Sequence, residues 1–213
     1  MRAALALVLL TSAPVSIAGT AALLIDDIGY SLHAARRALA LPPPVAVSVL
    51  PDAPYAEVVA EAADRTGSDV LVHLPMEAEG RPVSGSMLRA GMTRAAFVSR
   101  VDAALRAVPQ AIGVNNHMGS RLTRLHSPMQ RLMRHLSSAP GELLFIDSRT
   151  TARSRAEASA RAAGVAVARR DVFLDHERDP AAIAGQVRRW LEQARRSGCA
   201  LAIGHPYPET FRV

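Results

Sequence analysis

Short apolar runs alternate with longer amphipathic ones along nearly the whole chain. The short runs are closed by polar or glycine-containing segments and predict strands at 21–25, 45–50, 69–74, 111–114, 143–146, 165–168 and 200–203. Between them, apolar residues recur at helical spacing over 31–41, 53–66, 93–108, 127–138, 152–163 and 180–196. Boundary residues support the helices. Thr93 is a suitable N-cap, and Ser127-Pro128 suit a cap and first position; prolines 42–44 stop the first helix, and Gly67, Gly164 and Gly198 close three others. Strands alternating with helices in this way predict an all-parallel α/β protein. No linker or repeat interrupts 19–213, so one domain is expected. The polar stretch 78–91 is long enough to form a rim or lid.

Polar residues gather at one end of these units: Asp26 and Asp27, His73, His117, Asp147, Asp175 and His205. In parallel α/β folds the carboxyl ends of the strands share a face, and ligands bind there. Asp26 and Asp27 directly follow a buried apolar run, and charges are costly to bury unless paired or bound to a metal. Side chains alternate along a strand, so the two carboxylates are expected to point apart and do different jobs. A rim of acids and imidazoles suits a divalent metal held by nitrogen and oxygen, zinc or a similar first-row ion, with acid–base groups beside it. Structural readings stand beside this one. Asp27, Asp147 and Asp175 suit helix caps, His73 and His205 suit buried structural positions, and His117 sits among turn formers. His33, His126, His135 and His176 fall on helices or turns and are expected at the surface.

Composition removes several alternatives. A hydrophobic content of 49% excludes a disordered chain. The single cysteine, Cys199, excludes an internal disulfide framework and any Cys-x-x-Cys site. All 25 basic residues are arginine, so there is neither a Walker phosphate loop nor a Schiff-base lysine. No Gly-x-Ser-x-Gly elbow is present. The net charge is +6, but the arginines are scattered and aromatics are only 4%, which argues against a nucleic-acid partner. An acidic envelope polymer suits that charge equally well. Met1-Arg2, the apolar residues 3–10 and Ser16-Ile17-Ala18 have the pattern of a signal peptide (1–18) cut after Ala18, implying a periplasmic or secreted protein. No later stretch is long and apolar enough for a membrane helix, so an integral membrane protein is not expected.

Ile25-Asp26-Asp27 resembles the first motif of the polysaccharide deacetylases, in which paired aspartates end the first strand. The segment from Gly67 to Glu77, with His73 closing the strand, resembles their second motif, and Gly204-His205 their last. The blocks 25–30, 114–122, 145–151 and 203–210 are still more similar to the divergent branch of that family. The resemblance covers 21–210 and implies a distorted (β/α) barrel of about seven parallel strands. By that resemblance Asp26 is the general base, His205 the general acid and Asp27 and His73 metal ligands. Glu77 stands where the ordinary family has its second metal histidine, and His117 is the candidate replacement. Glu77, Asn116, Asp147 and Arg149 are expected to contact substrate or to orient the catalytic groups. The chain ends eight residues after His205, which is expected to leave the barrel open on one side. The implied activity is zinc-dependent hydrolysis of an N- or O-acetyl group on an envelope glycan such as peptidoglycan. The competing reading is an inactive relative that keeps the fold and binds a glycan or protein partner.

Overall fold

A computed structural model describes residues 19–42, 45–83 and 85–213; the expected signal segment, 1–18, and two of the prolines after the first helix lie outside them. Among the described residues, eight strands form a single all-parallel sheet. In chain order they are β1 (Thr20–Ile28), β2 (Val45–Val49), β3 (Val70–Met76), β4 (Gly113–Met118), β5 (Leu144–Asp147), β6 (Val167–Arg169), β7 (Val172–Phe173) and β8 (Cys199–Gly204). Their order in the sheet is β6-β5-β4-β3-β2-β1-β8-β7. Six helices connect them: α1 (Leu32–Leu39), α2 (Ala56–Arg65), α3 (Arg94–Ala107), α4 (His126–Ser138), α5 (Ala156–Ala162) and α6 (Pro180–Ser197).

Local chemistry explains most helix ends. Ser31, Thr93 and Asp179 each accept a hydrogen bond from a backbone N–H three residues on, capping α1, α3 and α6. Pro180 opens α6, and Gly198 closes it in the left-handed conformation. Helix α4 departs from expectation: it starts at His126, one residue before Ser127, and carries no side-chain cap.

The expected seven strands become eight because Val172–Phe173 adds a short one. The curled sheet stays open between its edge strands, β6 and β7, and the segment 167–173 joins them. Its first half pairs with β5 and its second half with β8. Between them Arg170 N donates to the Asp147 carbonyl (2.9 Å) and Asp171 N to the Leu201 carbonyl (2.8 Å). One short run of backbone therefore spans the gap between the two edges of the curled sheet. At the C-terminus, Phe211 packs on the core and lies under Arg37, 4.7 Å from its guanidinium.

Period-two alternation divides the strand residues between two cores. Ile25, Val47, Val72, Val114 and Phe145 join the large cluster beneath the helices. Leu24, Leu71, Ile146 and Ile203 form a smaller cluster, joined by Ala46, and fill the inside of the curl. Two residues further along the chain from each of these lie Asp26, Ser48, His73, Ser148 and His205, the last two just past the ends of β5 and β8. The inner apolar layer thus carries a polar layer on its carboxyl-terminal side, and that layer is the site.

Candidate metal centre and its acid–base partners

Strand β1 does not end before its carboxylates; it runs through them. Ile25 pairs with Val47 and Ile28 with Val49, so β1 holds one more residue than β2 over this interval. This is a β-bulge, and Asp27 occupies it at φ 56°. The extra residue returns Ile28 to the helix-facing core. It also overturns the expectation that the two aspartates point apart. Both carboxylates approach His73: Asp27 Oδ1 lies 3.1 Å from its Nε2, and Asp26 Oδ2 lies 3.7 Å from it.

His117 completes a cluster with Asp27 and His73. Its Nδ1 is 3.0 Å from Asp27 Oδ1 and 3.2 Å from His73 Nε2. One donor atom from each of the three residues lies within 4.8 Å of the others. His117 reaches the cluster because β4 continues to Met118, so Asn115, Asn116 and His117 are strand residues and not the expected turn.

Asn115 sets the polarity of the cluster. Its Nδ2 donates to Asp26 Oδ1 (2.7 Å), an oxygen that only accepts when ionised, and to Ser148 Oγ (3.2 Å). That fixes the amide, so Asn115 Oδ1 must accept, and it does so from Ser48 Oγ and from His73 Nδ1 (2.8 Å). With its proton on Nδ1, His73 turns the Nε2 lone pair toward Asp27 and His117. Asp27 Oδ1 is itself buried and without a hydrogen bond among the described residues. A buried carboxylate oxygen lacking a donor, facing two imidazole nitrogens, fits a divalent cation by the chemistry of its donors.

The electrostatics agree. Burial drives the Asp26 carboxyl above its usual range, and His73, His205 and Asn115 offset this only in part. For Asp27 burial acts in the same sense but is outweighed by nearby His117 and His73, which hold it well below the carboxylate range. Burial disfavours the charged form of His73, yet Asp26 and Asp27 prevail and raise its pKa. A surrounding that stabilises a proton on His73 equally favours a cation beside it.

His205 lies across the same cavity, with Nε2 3.9 Å from Asp27 Oδ2. Its Nδ1 meets Asp175 Oδ1 at 2.8 Å, while Asp175 Oδ2 accepts from His205 N (2.5 Å) and Thr210 Oγ1 (2.6 Å). Burial would raise the Asp175 pKa, but these donors lower it; burial would lower that of His205, but Asp175 raises it. The sign of the linkage follows for each group. The Asp175 contribution to stability is present above pH 3.8 and is lost as pH falls through its depressed pKa. The His205 contribution is present below pH 6.5 and is lost as pH rises through its elevated pKa. Urea unfolding of the metal-free protein is therefore expected to show the largest deficit for Asp175→Asn between those two values. The deficit should shrink on both sides, and a difference independent of pH would refute the dyad.

The two cavities that meet at the cluster are about 430 Å³ on the Asp26–His205 side and about 680 Å³ on the side of the 78–91 loop. Residues 23–213 match the family model described as divergent polysaccharide deacetylase. The chain belongs to that family. Its relatives include the uncharacterized protein YibQ of Escherichia coli, 41% identical over 99% of this chain and 65% of that protein. An uncharacterized Haemophilus influenzae protein is 38% identical over 90% of this chain and 68% of its own length. The chain thus spans about two thirds of the length of these relatives. The crystal structure of an uncharacterized Agrobacterium tumefaciens protein superposes with a TM-score of 0.85 at 25% identity, covering 91% of this chain and 80% of that one.

In this divergent deacetylase fold the remaining predicted residues take distinct places. Glu77 is not in the metal cluster: its carboxylate accepts from Ala90 N (2.8 Å) and pairs with Arg121 Nε (3.1 Å), tying down the end of the 78–91 loop. Asn116 lines the smaller cavity and bonds the Met118 carbonyl and Ser148 N. Asp147 is buried and accepts from Arg149 N (2.8 Å), and Arg149 lines the smaller cavity. Sequence reasoning missed Asn115, Ser48 and the Asp175–His205 pairing. Only Asp175 left a signal, as an acid at the end of a strand.

Proposed function

We propose that the protein is a metal-dependent carbohydrate deacetylase, exported by its N-terminal segment, that hydrolyses an N- or O-acetyl group on an envelope glycan. The observation that carries this reading is the Asp27–His73–His117 cluster flanked within one cavity by Asp26 and by His205, which Asp175 holds from behind. Among the described residues no helix is long and apolar enough to cross a membrane.

Asp27 Oδ1, His73 Nε2 and His117 Nδ1 would hold the ion, and their mixed nitrogen–oxygen set suits zinc. Such an ion supplies Lewis acidity toward the carbonyl and the attacking water. Asp26 Oδ2 accepts the proton of that water, a task suited to a carboxylate whose pKa burial has raised. Asn115 keeps Asp26 Oδ1 occupied, so only Oδ2 is left for this exchange. His205 donates from Nε2 to the departing amine or alkoxide, and Asp175 orients the ring through Nδ1. The acyl carbon gains the water oxygen and loses the sugar nitrogen or oxygen, giving acetate and the free amine or hydroxyl.

Zinc-loaded protein is expected to release acetate from acetylated peptidoglycan or chitooligosaccharide, to stop on chelation and to recover when zinc is returned. His205→Ala should lower kcat about 10²- to 10⁴-fold, the usual contribution of a general acid. Glycan binding with no acetate release would instead favour the inactive binding protein.

A further inference from the structure

One wall of the 430 Å³ cavity is built by the residues just after β5. Arg149 stands there at φ 52°, a strained conformation for any residue with a side chain. Its backbone is fixed from two directions. Arg149 N donates to Asp147 Oδ1 (2.8 Å), and its carbonyl accepts from Arg170 Nη2 (3.0 Å). Arg170 Nε is in turn held by the Ser148 carbonyl (2.7 Å).

The Arg149 guanidinium, by contrast, makes no hydrogen bond or ion pair among the described residues. Glu157 senses its charge but is bonded to Arg161 (2.8 Å) and pairs with Arg169 (3.5 Å). Arg170 lines the same cavity, stacked over the Phe173 ring at 4.5 Å and bonded only to carbonyls. Asp26 and Asp147 attract Arg170 through space, but Asp26 is bonded to Asn115 and Asp147 to Arg149 N. Two cations thus face one half-buried cavity with no carboxylate bonded to either. Like charges in such a setting repel more than in water, and a bound oxyanion relieves that repulsion. A planar guanidinium matches carboxylate and phosphate oxygens equally well.

We propose that Arg149, supported by Arg170, binds a carboxylate or phosphate carried by the glycan next to the acyl group, so that the substrate is an acidic glycan and not a neutral one. The position of the acyl group rests on the deacetylase reading; the charge of the ligand does not. The net charge of +6 favours the same class of polymer at long range.

Titration calorimetry on the zinc-loaded full chain tests this with three probes. They are a neutral N-acetylated tetrasaccharide, its counterpart bearing lactyl carboxylates, and its counterpart bearing 6-phosphates. One anionic probe is expected to bind about 10- to 100-fold more tightly than the neutral one, the range for a charged hydrogen-bonded contact, and that probe identifies the oxyanion. Arg149→Gln should abolish the preference, and Arg149→Lys should keep part of it. Equal affinities, a preference unchanged in Arg149→Gln, or no binding of any probe overturns the proposal. Charge preference without acetate release rejects the deacetylase reading alone, whereas release without charge preference rejects only this inference.

Discussion

Asp27→Gly is expected to lose its divalent ion, while Asp26→Asn, one residue earlier, keeps it and loses turnover. The two carboxylates are adjacent in sequence and close in space, so the contrast tests the division of labour at a single bulge. Asp27 supplies the only carboxylate oxygen of the three-residue cluster. Removing it should weaken metal binding by more than the roughly 10- to 100-fold that changes to orienting groups cause. Glycine is the informative replacement because Asp27 sits at φ 56°, where glycine carries no strain. A folded, metal-free variant then excludes misfolding as the cause. Asp26→Asn preserves an oxygen that can accept from Asn115 but removes the basic carboxylate, so kcat should fall about 10²- to 10⁴-fold with zinc stoichiometry intact. Equilibrium dialysis with metal analysis reads the first outcome and acetate release the second. If both variants keep the metal, or both lose it, the assignment of ligand and base fails.

Asn115→Ala is expected to damage stability and metal affinity together. Asn115 is fully buried and bonds four side chains at once: Asp26, Ser48, His73 and Ser148. Alanine leaves the Asp26 oxygen and the His73 N–H buried without partners and opens a void beside them. Each unsatisfied buried group costs about 1–3 kcal/mol, so a loss of about 3–5 kcal/mol is expected in urea unfolding. Freed from Asn115, the His73 ring can turn or change tautomer, and zinc affinity should fall about 10- to 100-fold. A variant of near wild-type stability and affinity would show that the amide does not organise the site.

The sequence made the strand ends legible, and with them Asp26, Asp27, His73, His117 and His205. Parallel α/β topology gathers such residues on one face whatever the loops do between them. What it hid depends on neighbours far along the chain. Asn115 and Asn116 resemble turn residues by type, and only the pairing of β4 with β3 shows that they lie on a strand. Strand β7 has two residues, too few to show a period. The bulge at Asp27 defeats the alternation rule because one extra residue changes which way a side chain faces. Glu77 matched a motif position, but Arg121 and Ala90 N, both distant in sequence, decide where its carboxylate goes.

The place of β1 in the sheet governs how the molecule is made. Its first residue pairs with Cys199, so the strand bearing both aspartates is flanked on one side by a strand from far along the sequence. Until that strand arrives, β1 exposes a row of unpaired amides and carbonyls, and His205 is still absent from the rim. Folding of the cleft is therefore expected to be late and slow, since the long segment between β1 and β8 must close into a loop before the two strands meet. A chain cut ahead of α6 would leave that edge uncovered and is expected to aggregate.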